Sequence, residues 1–116
     1  MQFFETIFLE EADRFMQTLD RKSQQKVMYN VRLAEQTNEP ELFKKLNENI
    51  WEFRTKFLGK QVRILAFWDK TEKEETLVLA TNGFLKKTAK TPKREIERAE
   101  RIRKEYFNNK EKNNRR

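Results

Sequence analysis

Arg54 and Arg63, in the stretches "WEFRT" and "QVRIL", and Lys86, Lys87, Lys90 and Lys93 of "NGFLKKTAKTPK" are the side chains best equipped for chemistry. The chain has no His and no Cys, so the commonest general base, the commonest zinc ligand and any thiolate nucleophile are missing. Acid–base work falls to Lys, Arg, Glu, Asp or Tyr, and neither a metal nor a cofactor is expected. A guanidinium offers a planar fork to two phosphate oxygens, which makes Arg54 and Arg63 better clamps than lysines would be. Arg63 stands amid apolar neighbours, where burial is expensive unless the group is paired or open to a ligand. Its plainer reading is an ion pair with Glu52 or another carboxylate. Lys86, Lys87 and Lys90 follow an apolar strand and precede a helix N-terminus, whose unpaired amides also favour an anion. A lysine crowded by cations has a lowered pKa and can serve as acid or base; the plainer alternative is a solvated cluster that merely attracts a backbone.

The charge distribution names the class of anion. Residues 1–85 carry 13 basic and 14 acidic side chains, whereas residues 86–116 carry 13 and 5, so the whole excess of +7 lies in the last quarter. Such a local field attracts polyanions, nucleic acid first among them; a solubilising basic tail is the alternative. Phe84 is the aromatic best placed to stack on an unpaired base, with core packing as its other reading. Trp51, Trp68 and Tyr106 read as core.

These groups need a scaffold, and 116 residues with ten Phe and two Trp suffice for one domain. Residues 2–8 suit a first strand. Leu9, Ala12, Met16 and Leu19 recur at helical spacing, predicting a helix over about 9–19, and Ser23 is placed to cap a second helix with Val27, Val31 and Ala34 on its stripe. "EPELFKKL" reads as a further turn or two of helix. From Ile50 the period changes to two: Trp51, Phe53, Thr55 and Phe57 point one way and Glu52, Arg54 and Lys56 the other. A tight turn at Gly59 and Lys60, the strand "QVRILAFW", the polar connection "DKTEKEE" and the apolar strand "TLVLAT" complete a meander. Thr91 and Pro92 form a cap and first-turn pair for a last helix striped by Ile96, Ala99, Ile102 and Tyr106. The predicted order is β-α-α-β-β-β-α: an α+β domain with an N-terminal helical hairpin on a small antiparallel sheet, one face of which is left for something else. The domain is expected over 1–107, with 108–116 a disordered basic tail. "MQFFETIFLEEAD" lacks a basic flank and a long apolar run, so neither a signal peptide nor a membrane span is expected, and a cytoplasmic protein is the plain reading.

The run "IWEFRTKFLGKQVRILAFWD" followed by "LVLATNGFLKKTAKTPKREIERAERIRKEY" resembles the RelE/ParE superfamily of type II toxins, in particular its phage-derived HigB-like branch. The resemblance covers roughly residues 45–107 through Trp51-Glu52-Phe53-Arg54, Arg63, Phe84-Leu85-Lys86-Lys87 and Thr91-Pro92. It implies a RelE-like fold and an mRNA interferase: a metal-independent endoribonuclease, usually ribosome-dependent, in which the RNA's 2′-hydroxyl attacks the adjacent phosphate. Arg54, Arg63, Lys86 and Lys87 are the catalytic candidates so implied, and Lys56, Phe84, Lys90 and Lys93 the RNA-binding ones. Positive charge around a phosphorane is what that reaction needs from a protein, so lacking His and Cys is no obstacle. The chain departs from many relatives at Val62, where they carry an aromatic, and in having no evident counterpart of their C-terminal catalytic Tyr or His.

The resemblance also implies partners: a cognate antitoxin, commonly a helix-turn-helix, HigA-like protein, together with mRNA and the ribosome. Two rival functions share the sequence features, namely a ParE-like gyrase inhibitor that cleaves nothing and a simple nucleic-acid-binding module. Read as a surface residue, Arg63 replaced by Ala is expected to cost under ~0.5 kcal/mol of stability.

Overall fold

Two strands within residues 51–69, the first alternating in polarity and the second apolar on both faces, build the centre of the molecule. The computed structural model describes residues 2–71 and 76–114. Its elements are β1 (Glu5–Phe8), α1 (Glu10–Thr18), α2 (Arg21–Thr37), β2 (Phe43–Lys45), β3 (Trp51–Phe57), β4 (Lys60–Asp69), β5 (Leu77–Leu85) and α3 (Lys93–Asn114). The strands form one sheet in the order β1-β5-β4-β3-β2. β3, β4 and β5 are the expected meander. The polar connection expected before β5 lies largely outside the described residues.

The structure departs from several expectations. The sheet is mixed, because β1 runs parallel to β5, with Glu5 opposite Leu77; α1, α2 and three strands separate the two, so no tight hairpin dictates antiparallel pairing. "EPELFKKL" makes a turn and then β2 instead of more helix. Phe43 pairs with Phe53 across the strands and stacks on it at 4.3 Å, with Trp51 at 5.0 Å, and these aromatic contacts outweigh the helical preference of Leu and Lys. The helix expected to cap at Ser23 caps at Asp20, whose Oδ1 accepts from the Ser23 N–H at 3.3 Å, while Ser23 itself is buried. The hairpin turn is Leu58-Gly59 and not Gly59-Lys60: both adopt positive φ, 50° and 77°, the conformation a two-residue hairpin requires, and Lys60 already pairs with Phe57.

Two apolar layers flank the sheet. On one face Phe43, Phe53, Val62, Ile64, Ala66, Val78 and Ala80 meet Ala12 and Met16 of α1 and Val27, Val31 and Ala34 of α2. Gly83 lets Phe15 lie against β5, since a Cβ there would sit 2.2 Å from the ring. The other face, expected to stay open, is covered in part by α3. Leu65, Phe67 and Leu79 pack with Ala99, Ile96, Tyr106 and Phe107, and α3 rests on β4 and β5. A bulge at Leu65/Ala66 re-aims Asn82, whose amide donates to Glu95 O and Oε1 at 3.2 and 3.1 Å and fixes the first turn of α3. The helix does not end near 107. It runs to Asn114, held at its far end by Lys110 donating to Asp69 at 2.7 Å. Beyond α3, the β3 and β2 side of this face retains its charged residues.

Candidate functional site

Arg54 and Arg63 are direct cross-strand partners on the α3 face of the sheet. Glu52, two residues before Arg54, shares that face by alternation, and Lys44 stands opposite Glu52 on β2. Arg63 is only 1% exposed, which overturns its reading as a surface residue. Its Nη1 donates to Val62 O at 3.1 Å and its Nη2 to Gln61 Oε1 at 2.9 Å. Its Nε lies 3.7 Å from Glu52 Oε1, and Arg54 Nε lies 3.9 Å from Glu52 Oε2. The ion pair that was the plainer alternative therefore exists, yet both Nε groups are buried without a hydrogen-bond partner. Glu52 Oε1 instead accepts from the Thr91 hydroxyl at 2.6 Å. Thr91 is thus no helix cap: the first turn of α3 bonds to Pro92 O, and the threonine faces the sheet.

Lys86 joins the group because its N–H donates to Gln61 O at 2.8 Å, extending the β4–β5 ladder one residue past Leu85. Its ammonium has a lowered pKa, through partial burial first and then the charge of Arg63, against which Glu52 acts and to which Arg54 and Lys44 add. Arg63 is also shifted down, by burial chiefly, with Glu52 opposing and Arg54 reinforcing.

Two hollows meet at Arg54. One, of about 380 Å³, is lined by Asn30, Glu41, Leu42, Arg54, Lys56 and Arg63. The other, of about 360 Å³, includes Lys44, Glu52, Arg54, Lys86, Lys90 and Thr91. Each is at the small end of the range for ligand sites. Among the expected site residues, the fold thus gathers Arg54, Arg63, Lys56, Lys86 and Lys90. Lys87 and Lys93 are exposed and line neither hollow. Phe84, partly buried, packs against the apolar layer beneath α3, as its core-packing reading expects. Lys44, Gln61 and Thr91 were not foreseen as part of the site. One local signal was available for Lys44: Asn47 Oδ1 accepts from the Asn49 and Ile50 N–H groups at 2.9 and 2.8 Å, a side-chain turn that marks a hairpin and hence a strand before it.

Tyr106 serves another place. Its hydroxyl donates to Asp69 Oδ2 at 2.6 Å, and Asp69 lies six residues along β4 from Arg63, roughly 20 Å at the rise of a strand.

The family model described as "Phage derived protein Gp49-like (DUF891)" matches residues 14–104. That span contains every residue lining both hollows. No curated protein matches the chain.

Proposed function

The chain belongs to the phage-derived Gp49-like family, whose members are RelE/HigB-like, toxin-type proteins associated with toxin–antitoxin systems, and on that premise we propose that it is an endoribonuclease toxin acting on mRNA at the ribosome. Such a family implies an antitoxin as partner. The observation that carries the reading is the pair of buried, unpartnered guanidinium N–H groups of Arg54 and Arg63 at the junction of two cation-lined hollows. Leaving such donors unpaired costs about 1–3 kcal/mol each, more for charged groups, and an incoming phosphate would satisfy them.

In the proposed reaction the RNA's 2′-oxygen attacks the adjacent phosphorus as its proton passes to solvent water. The bond to the 5′-oxygen breaks, leaving a 2′,3′-cyclic phosphate and a 5′-hydroxyl. Arg54 and Arg63 hold the non-bridging oxygens, where negative charge grows. Lys86, its pKa lowered by its surroundings, donates a proton to the departing 5′-oxygen. Lys56 and Lys90, on opposite sides of Arg54, hold the flanking backbone. The antitoxin, a helix-turn-helix protein in this reading, silences the toxin by covering the hollows or docking beside them.

Mapping mRNA 5′ ends in cells induced for the protein tests this. Cuts inside translated codons are expected, and they should vanish when the cognate antitoxin is co-expressed. Intact transcripts accompanied by broken or relaxed chromosomes would overturn it in favour of a gyrase poison.

A further inference from the structure

A carboxylate buried in a site built for phosphate is an expense that calls for a reason, since it repels the ligand. We infer that Glu52 is a positioning residue: it holds Arg54 and Arg63 side by side without consuming their donors, and through Thr91 it fastens the segment carrying Lys86 and Lys90. This rests on the RNA-cleavage reading and deepens it.

Residues directly opposite in an antiparallel pair have Cα atoms only about 4.5–5.5 Å apart, so two arginines there repel each other. Arg63 is enclosed and anchored by Val62 O and Gln61 Oε1; Arg54, with its side chain 31% exposed, is the one free to swing outward. Among the described residues, Glu52 is the carboxylate that pairs with either guanidinium. At 3.7 and 3.9 Å it attracts both, but these separations exceed hydrogen-bond length. The Nε–H groups are therefore oriented by charge and left unbonded. What keeps the carboxylate from closing those gaps is Thr91, which takes Oε1 at 2.6 Å. The same bond ties β3 to the segment between β5 and α3, so one side chain sets the relation between the guanidiniums and the lysine-bearing wall of the second hollow. Glu52 is itself only 2% exposed, which suits a group acting through its neighbours rather than on the RNA.

The test is Glu52→Gln, which retains an acceptor for Thr91 and removes the charge, assayed with wild type for binding and cleavage of mRNA on programmed ribosomes. Losing a negative charge beside the backbone should leave binding equal or up to roughly tenfold tighter. Cleavage should slow about 100-fold because the arginines are no longer held in place, and the pH profile should keep both limbs, the alkaline one moving to lower pH because the Glu52 charge that raises the Lys86 pKa is gone. Thr91→Val, which spares the charge, should slow cleavage about tenfold with unchanged binding, and it provides the check should Glu52→Gln fold poorly. Wild-type rates in both variants, or loss of the acidic limb of the pH profile in Glu52→Gln, which would make Glu52 a base, would overturn the inference. If wild type itself cleaves no RNA, the proposed function fails and takes this inference with it; a cleaving wild type matched by its variants sinks the inference alone.

Discussion

β4 carries a buried charged residue at each end of its α3-facing side, and the two ends are built to opposite purposes. At one end, four donors converge on the carboxylate of Asp69: Thr71 N–H and hydroxyl at 2.9 and 2.6 Å, the Tyr106 hydroxyl at 2.6 Å and Lys110 Nζ at 2.7 Å. At the other, two guanidiniums share Glu52 and each retains a buried N–H without a partner. Satisfied charges fasten α3 to the sheet; the unsatisfied ones are the donors that the proposed function gives to a phosphate.

Arg63→Ala should show the largest effect, because it strikes both purposes at once. Removing a buried partner of Glu52 costs on the order of 3 kcal/mol, read by urea denaturation, and cleavage should fall by at least about 100-fold. A loss under about 1 kcal/mol would mean that Arg63 is not enclosed as described. Arg54→Ala sharpens the contrast: with a side chain 31% exposed it should cost less than about 1 kcal/mol yet slow cleavage about 100-fold.

Asp69→Asn is the converse, expected to cost about 2 kcal/mol while cleavage per folded molecule stays within about twofold of wild type. Burial opposes ionisation of Asp69, but Lys110, Thr71 and Tyr106 together hold its carboxyl well below the usual carboxylate range. A depressed folded-state pKa contributes stability above the unfolded value of about 3.9 and loses it as pH falls further. The wild-type thermal midpoint should therefore drop more steeply than the variant's below about pH 4. Equal acid sensitivity would break the assignment.

The comparison also marks what could be read from the residues alone. Alternation in "WEFRTKF" was enough to put Arg54 on the polar side of its strand, and the period of "QVRILAFW" put Arg63 on one face with Gln61, Leu65 and Phe67. The burial of Arg63 was not legible, because Glu52 and Arg54 on β3 and Phe84 on β5 become its neighbours only once the strands pair. β2 escaped for a related reason: three residues rich in helix formers become a strand only through Phe43 stacking on Phe53 and Trp51. Lys86 and Lys87 looked equivalent. The backbone bond from Lys86 to Gln61 decides between them.

Lys86→Arg tests that choice with a smaller change. If Lys86 supplies the proton, wild-type cleavage is lost as pH rises through its lowered pKa. Arginine stays protonated and is a poor proton donor, so the variant should bind normally, cleave roughly tenfold more slowly and lose that alkaline limb. A wild-type profile in the variant would leave Lys86 a mere countercharge. Lys56→Ala should do least, reducing the salt dependence of RNA binding by about one charge with little change in cleavage at saturation; an unchanged salt slope would take Lys56 off the backbone path.

The central claim, that Arg54 and Arg63 clamp one phosphate while the RNA attacks itself, is tested most directly with an mRNA carrying a single 2′-deoxy nucleotide at its mapped cut, presented on programmed ribosomes. The account predicts unchanged binding, no cleavage of the deoxy message and a 2′,3′-cyclic phosphate from the all-ribose one. Equal cutting of both messages would contradict it.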